Sequence, residues 1–249
     1  MLNKIKKYYL WFLVPVLMVA LFVLYQESSI MLSGWKIVKA GSLEIVSPEI
    51  GVRVFINENE KEINPRDIKI NFKKVPVGMN SIVVAKEDYW PWMKKVEMKE
   101  GEKTIIYPFM VQVLQKDIFA IDENSDLYKA TKNKIENYFI PNKDKKFVSE
   151  DVSATLWVYN NSIFFQRIDS GDVIEVFKGV EAISSVDFYK DRNDVIIFSM
   201  GSYIYVIEAN TKNNQNFQPL FQGIKPLFAK KDNQKIYIFD QNILAEIKM

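Results

Sequence analysis

The stretch Leu10–Tyr25, with the sequence LWFLVPVLMVALFVLY, is an unbroken apolar run near the start of the chain. It contains no charged residue, and with Tyr8 and Tyr9 it reaches the lower limit of about 17 to 20 residues that a helix needs to cross a bilayer. Aromatic rings at both ends favour the lipid–water interface. Because the run is apolar on every face, it does not resemble a core helix of a soluble protein. The run therefore predicts a transmembrane helix over residues 8–25 that contacts membrane lipid.

Basic residues flank only one end of this run. Lys4, Lys6 and Lys7 precede it, and the next lysine is Lys36. Because basic flanks stay in the cytoplasm, we expect a single-pass protein of the cytoplasmic membrane with a cytoplasmic N-terminus and extracytoplasmic C-terminal domains. A cleaved signal peptide shares the basic start and the apolar middle. Residues 25–29, YQESS, lack the small residues of a cleavage site, which favours an uncleaved signal anchor over residues 1–26.

The composition excludes several kinds of chemistry. The chain has 249 residues and a net charge of +2, and without the three anchor lysines 30 basic residues face 31 acidic ones. This balance argues against a nucleic-acid partner, which needs a basic face. The absence of cysteine excludes disulfides, and the absence of histidine excludes Ser-His-Asp triads, Cys-His dyads and histidine-ligated zinc. No cofactor and no metal site are predicted.

Two domains follow a short connecting segment. For residues 27–40, a juxtamembrane stalk, two interpretations stay open: a continued helix or a strand packed on the next domain, or a segment lying on lipid. From residue 41 to residue 110, short apolar stretches alternate with turn sequences at intervals of about 8 to 12 residues, which is typical of a small β-sandwich. The predicted strands are Leu43–Val46, Val52–Ile56, Ile68–Phe72, Ser81–Ala85, Lys94–Met98 and Lys103–Phe109.

A series of short motifs runs through residues 41–110 in a fixed order. The motifs are Gly41-Ser42-Leu43, Ser47-Pro48-Glu49, Gly51 before the strand Val52–Ile56, Asn64-Pro65 with Ile68, Pro76-Val77-Gly78, Lys86-Glu87-Asp88-Tyr89, Pro91-Trp92 and Gly101-Glu102. Together they resemble a PEGA domain, although Asp88 stands where that pattern has Gly and the turn after Ile56 is rich in Asn and Glu. The resemblance implies a small extracytoplasmic β-sandwich of envelope and surface-layer proteins, without catalytic residues.

The cluster Tyr89-Trp90-Pro91-Trp92 supplies the candidate site residue. In the PEGA pattern the positions of Tyr89 and Trp92 are apolar core positions, whereas the position of Trp90 is usually polar. Strand alternation also points Trp90 away from Tyr89. An exposed Trp90 would anchor a protein partner or stack on a sugar. The alternative is that Trp90 packs on the neighbouring domain.

Residues 111–249 repeat with a period near 40. Each copy has a strand, a tight turn, a second strand, a looser turn and a third strand, and the second strands start at Leu127, Ile163, Tyr203 and Ile243. The tight turns are the pairs Asn160-Asn161, Met200-Gly201 and Gln241-Asn242, which suit left-handed backbone. Fourth strands come from Ile183–Phe188 and Pro226–Ala229. Four strands at this period are typical of β-propeller blades.

The number of copies leaves the closure of the ring open. The first copy is degenerate, with predicted strands at Ile118–Ile121, Leu127–Lys129 and Ile135–Phe139, and the last copy lacks an outer strand. About three and a half blades fit, whereas propellers close with four to eight. Either an upstream strand within Lys103–Leu114 completes a small four-bladed ring, or the arc stays open and its strand edges need a cover.

The sequence thus predicts a mainly β protein with an N-terminal transmembrane helix, a PEGA-like sandwich over residues 41–110 and a small or incomplete propeller over residues 111–249. The function expected from it is that of a non-enzymatic envelope protein, a structural or binding module for another envelope protein or a glycan. The alternative is a carboxylate-dependent, glycan-active enzyme on the repeats, which needs two carboxylates about 5 to 9.5 Å apart in a cleft.

Overall fold

The computed structural model describes residues 13–23, 25, 30–33, 36–61, 63–115, 117–138 and 145–249. Residues 13–23 form helix α1, whose apolar side chains are exposed. The predicted membrane run extends beyond this helix, and its residues 8–12 and 24 lie outside the described residues. Among the residues that are described, no helix combines the length and the apolar character needed to cross a membrane.

The chain divides into two compact units. The first comprises residues 1–82 and 95–108, and the second comprises residues 83–94 and 109–249. Both are mainly β, as the sequence predicts. The division passes through two strands, β6 and β7, which are defined below.

Sheet A lies in the first unit and contains the strands β1 (Ile30–Ser33), β2 (Lys36–Val46), β5 (Lys69–Pro76) and β8 (Lys103–Ile106). β2 pairs antiparallel with β1 and β5 and parallel with β8. The described part of the stalk therefore consists of β1 and the start of β2, and β2 continues into the predicted sandwich. Leu43 and Ile45 are fully buried while Glu44 between them is not, so the side chains of β2 alternate between the core and the outer face.

Sheet B has the strand order β4-β3-β6-β7. Its strands are β3 (Arg53–Ile56), β4 (Asn59–Lys61), β6 (Gly78–Ala85) and β7 (Trp92–Met98). The turn between β3 and β4 places both Asn57 and Glu58 at positive φ, as a type I′ hairpin requires. Val54, Ile56 and Ile82 of this sheet are buried, as are Ile70 and Val75 of sheet A.

Sheets C and D, in the second unit, follow the predicted repeat closely. Sheet C is β10 (Phe147–Val148), β11 (Ala154–Tyr159), β12 (Ser162–Arg167) and β13 (Val173–Lys178). Sheet D is β14 (Ile183–Phe188), β15 (Val195–Met200), β16 (Tyr203–Glu208) and β17 (Phe217–Gln222). The two sheets share one apolar core, with Leu156 and Ile163 on one side and Val186 and Phe198 on the other.

Two of the predicted tight turns are confirmed, and the third is displaced by one residue. Asn160-Asn161 and Gln241-Asn242 both have positive φ at each position. In sheet D the turn is Gly201-Ser202 rather than Met200-Gly201, and only Gly201 has positive φ. This is the type II′ pattern, in which glycine takes the first central position.

Sheet E is completed by a strand from far upstream. Its order is β18 (Leu227–Lys230), β19 (Lys235–Asp240), β20 (Ile243–Lys248) and β9 (Ile118–Ala120), and Ala120 pairs with Ala245. The missing outer strand of the last repeat therefore comes from β9, and not from within Lys103–Leu114, where one of the two open alternatives placed it. The described residues contain no closed ring of sheets.

The prediction of two further strands at Leu127–Lys129 and Ile135–Phe139 is also wrong, because helix α2 spans Asp126–Tyr138; residue 139 lies outside the described residues. Ser125 caps the helix by accepting the Tyr128 N–H at 3.1 Å. Tyr128, Thr131 and Ile135 are buried at helical spacing. This face packs on Ala229, Tyr237 and Leu244 of sheet E.

The turns that follow the first strands of sheets C, D and E are joined by side chains. The Asn193 amide donates to Asp151 at 2.6 Å and to Ser153 at 2.8 Å. Asn233, forty residues later, donates to Glu150 at 2.8 Å. The three sheets of the second unit therefore meet at the turn 149–153.

Candidate binding site

The backbone of Trp90 is fixed by a short antiparallel pairing within the second unit. The Trp90 N–H donates to the Val111 carbonyl at 2.9 Å, and the Val113 N–H donates to the Asp88 carbonyl at 2.8 Å. Asp88 has a φ of 66°, a left-handed conformation that aspartate adopts more readily than most residues. Trp90 therefore has a defined position at the start of the segment that leads to Trp92.

The indole of Trp90 is half-buried and lines a cavity of about 500 Å³. The other lining residues come from the end of β17, from Tyr203, from β9 and from the segment before it: Val113, Leu114, Gln115, Ile118, Tyr203 and Pro219–Gln222. The Trp90 indole N–H is shielded from solvent and has no hydrogen-bond partner among the described residues. The structure thus places the candidate residue in a cavity and leaves its N–H donor unsatisfied.

The described lining of this cavity is uncharged and largely apolar. None of the described residues that line it is charged, and its polar side-chain groups are the Trp90 indole N–H, the amides of Gln115 and Gln222 and the hydroxyl of Tyr203. Leu114 beside it is 72% exposed and Phe119 of β9 is 62% exposed. Exposed apolar side chains grouped at a cavity are typical of a surface that binds another molecule.

Trp92 has a different environment from Trp90. It is buried, and its indole N–H donates to the Glu208 carboxylate at 2.7 Å. The Lys94 ammonium forms an ion pair with the same carboxylate, and the side chains of Lys94 and Glu208 are only 11% and 9% exposed. The prediction that Trp92 is a core position is consistent with this burial.

Asn216 and Gln218 fix the backbone on both sides of Trp92. The Asn216 side chain accepts the Met93 N–H at 2.8 Å and donates to the Met93 carbonyl at 2.9 Å, which imitates the pairing of two strands. Gln218 donates to the Pro91 carbonyl at 3.1 Å. Sequence analysis missed these positioning residues and Glu208, because a polar residue at the end of a strand usually faces solvent.

An aromatic cluster extends from the cavity across sheet D. The ring centroids of Tyr203 and Tyr205 are 5.4 Å apart, and those of Tyr205 and Phe217 are 4.7 Å apart. Burial raises the pKa of Tyr205, and the nearby Tyr203 and Glu181 act in the same direction. The Tyr205 hydroxyl therefore stays protonated at neutral pH and cannot serve there as a base.

A second cavity, of about 320 Å³, lies between sheets C and D and contains two carboxylates. Asp172 and Asp194 line it together with Arg167 and Lys212. Asp194 is held by both Arg192 donors, at 2.7 and 2.8 Å, so its charge is neutralised and its orientation is fixed. No cluster of three potential metal ligands occurs among the described residues.

No protein-family model matches this chain, and no curated protein sequence matches it.

Proposed function

We propose that this protein is a membrane-anchored, extracytoplasmic envelope protein that binds another envelope protein or a glycan at the Trp90 cavity. One observation carries the proposal: Trp90 lines a cavity whose described side chains are uncharged, beside exposed apolar side chains. A tryptophan in such a position contributes a large contact area at a small cost in conformational entropy, which is why binding energy concentrates at tryptophans.

The proposed location is supported by the sequence at the N-terminus. The apolar residues 8–25 form the anchor, and the lysines that precede them keep the N-terminus in the cytoplasm. Both units then lie outside the cytoplasm. The absence of cysteine is compatible with this location because both units have apolar cores and need no disulfides.

The finer architecture is part of the same proposal. Sheets A and B would form the PEGA-type sandwich that the motifs of residues 41–110 resemble. Sheets C, D and E, each an antiparallel four-stranded sheet, would be the blades of a small propeller-like arc. Helix α2 covers one face of sheet E, which supports an open arc whose end is protected by a helix.

The test is partner capture with the full chain in detergent and with a Trp90→Ala variant. Envelope extract and purified cell-wall glycan are offered separately, so that a protein partner and a glycan partner are distinguished. Trp157→Ala is the matched control, because Trp157 is a half-buried tryptophan in sheet C, stacked on Phe164, that does not line the cavity. The melting temperature of each variant is measured in parallel.

We expect Trp90→Ala to lose its partner while keeping its melting temperature, and Trp157→Ala to keep the partner. Loss of about 2 kcal/mol at a binding hot spot corresponds to a roughly 30-fold weaker affinity. Equal capture by the wild-type chain and by Trp90→Ala would refute the role of Trp90.

The second cavity gives the alternative function a specific basis. Asp172 and Asp194 bring two carboxylates to one cavity, and two carboxylates are what a glycan-active enzyme of the predicted kind requires. Glycan hydrolysis that Asp172→Asn abolishes, and that Trp90→Ala leaves intact, would establish this alternative. No release of sugar from cell-wall glycan by the wild-type chain would exclude it.

A further inference from the structure

A third cavity, in the first unit, is basic. It measures about 550 Å³ and lies along β4 and β5. Three lysines line it, namely Lys61, Lys73 and Lys74, and among the described residues no Asp or Glu does. Among the described residues no carboxylate pairs with Lys61 or Lys73. A cavity whose described lining has unpaired ammonium groups and no carboxylate favours an anionic ligand.

The amide groups in this cavity divide into fixed and free ones. Asn57 donates to Asn80 at 2.7 Å, and Asn59 donates to the Asn57 carbonyl at 2.9 Å, so both amides are held by the protein. Asn71 is exposed on β5 between the lysines and is engaged by no described residue. The groups available to a ligand are therefore two ammonium groups and one amide, a set that suits the oxygens of a phosphate group.

The third lysine, Lys74, contacts the last residue of the N-terminal apolar run. The Lys74 ammonium donates to the Tyr25 carbonyl and lies 3.4 Å from the centroid of the Tyr25 ring. The Tyr25 hydroxyl in turn accepts the Leu32 N–H at 3.2 Å. Tyr25 is the last residue of the apolar run, so in an anchored chain this cavity lies at the level of the lipid headgroups.

Apolar side chains beside the cavity point to the same surface. Met31 of β1 lines the cavity, and its neighbour Leu32 is 60% exposed. Leu32 pairs across the hairpin with Ile37, which is 69% exposed. Exposed apolar residues next to basic ones are the pattern of a segment that lies at the boundary between headgroups and acyl chains.

We propose that the cavity formed by Lys61, Asn71 and Lys73 binds the phosphate group of an anionic lipid headgroup. The site is separate from the Trp90 cavity. It relies on the membrane anchoring put forward under the proposed function and not on the partner proposed there. Lys74 acts as a positioning residue, because its ammonium is engaged by Tyr25 and holds the cavity next to the anchor.

The test uses the full chain in neutral detergent, titrated calorimetrically with three soluble probes. These are dihexanoyl-phosphatidylglycerol, dihexanoyl-phosphatidylcholine and glycerol phosphate. The variant Lys61→Gln/Lys73→Gln removes two charges from the cavity. Its matched control is Lys69→Gln/Lys95→Gln, which also removes two charges. Lys69 lies on β5 and Lys95 lies in the same unit, and both are exposed and do not line the cavity.

We expect the anionic lipid to bind more tightly than either other probe. A basic residue at an anionic lipid surface contributes about fivefold in affinity, so the double variant should bind about 30-fold more weakly while the control is unchanged. Equal binding of the two lipids, or equal losses in the variant and its control, would overturn the proposal. Glycerol phosphate binding as tightly as the anionic lipid would assign the cavity to a soluble phosphate instead. Flotation of the wild-type chain with vesicles tests the anchor separately.

Discussion

Removing the Glu208 carboxylate should destabilise the second unit more than almost any other single change. The carboxylate is the shared acceptor of the Trp92 indole N–H and the Lys94 ammonium, and its side chain is 9% exposed. Glu208→Ala leaves a buried ammonium without a counter-charge, which costs about 3 to 5 kcal/mol. It also leaves an indole N–H unsatisfied, which costs about 1 to 3 kcal/mol. Because the two penalties overlap, we expect a loss of about 4 kcal/mol.

A double-mutant cycle separates the cost of the lost counter-charge from the cost of the unsatisfied indole N–H. Glu208→Gln retains an oxygen acceptor for Trp92 and loses only the charge, so it should cost about 2 to 3 kcal/mol. Lys94→Met, which keeps the length of the side chain, should cost a similar amount because it leaves the carboxylate buried and unpaired. In the double variant neither charge remains, and the combined cost should fall to about 1 kcal/mol.

The assay is urea unfolding of the full chain, monitored by hydrogen exchange at the amides of β16 and of residues 92–94. Exchange at these amides reports the second unit even when the two units unfold separately. Single variants that each cost less than about 0.5 kcal/mol, or costs that simply add in the double variant, would refute the argument that this pair is buried and coupled.

Three further predictions concern stability in the second unit. Hydrogen bonds from Ser149 and Ser153 hold the pKa of Asp151 well below its usual range. The contribution of Asp151 to stability is therefore full above about pH 4 and is lost as the pH falls below that value. Asp151→Asn should lower the urea midpoint of unfolding at pH 7 and flatten the pH dependence of that midpoint between pH 2 and pH 5. Val152 is β-branched and exposed, and it has a φ of 55°. Val152→Asn should therefore raise the free energy of unfolding by about 1 kcal/mol in urea. A lower free energy of unfolding in this variant would show that no backbone strain is stored at residue 152. Ile135→Ala removes a fully buried side chain of helix α2, so it should lower the free energy of unfolding by about 3 kcal/mol and speed hydrogen exchange in α2 and β19. Leu127→Ala, at an exposed position of the same helix, is the control and should change neither the stability nor the exchange rates.

Most strands of the repeats could be predicted because their signal is local. The alternation in β11 and β12 and the Asn-Asn turn between them lie within fourteen residues of sequence, 154–167. β10 was not predicted, because its two residues, Phe147–Val148, are too few to show a period. Leu127–Lys129 by itself is strand-like, whereas the buried residues Tyr128, Thr131 and Ile135 of helix α2 recur at helical spacing.

Long-range contacts could not be read from any local pattern. The partner of β9 is β20, at the other end of the sequence of the second unit, and nothing in either strand's sequence indicates that the two pair. The same limit applies to the sites. Trp90 could be singled out from its neighbours, but the residues that fix the segment beside it, Glu208 and Asn216, are far along the chain. The basic cavity likewise depends on the adjacency of Lys61 and Lys73 in space.

The pairing of β9 with β20 has a consequence for how the protein is made. A ribosome delivers Ile118–Ala120 long before Ile243–Lys248, so the growing chain carries one strand without its complement throughout the synthesis of sheets C and D. During that interval the backbone N–H and C=O groups of β9 lack the partner strand that they have in the folded protein. A chain cut short before β20 would keep β9 without its complement, so sheet E can be completed only after the last residues have been synthesised.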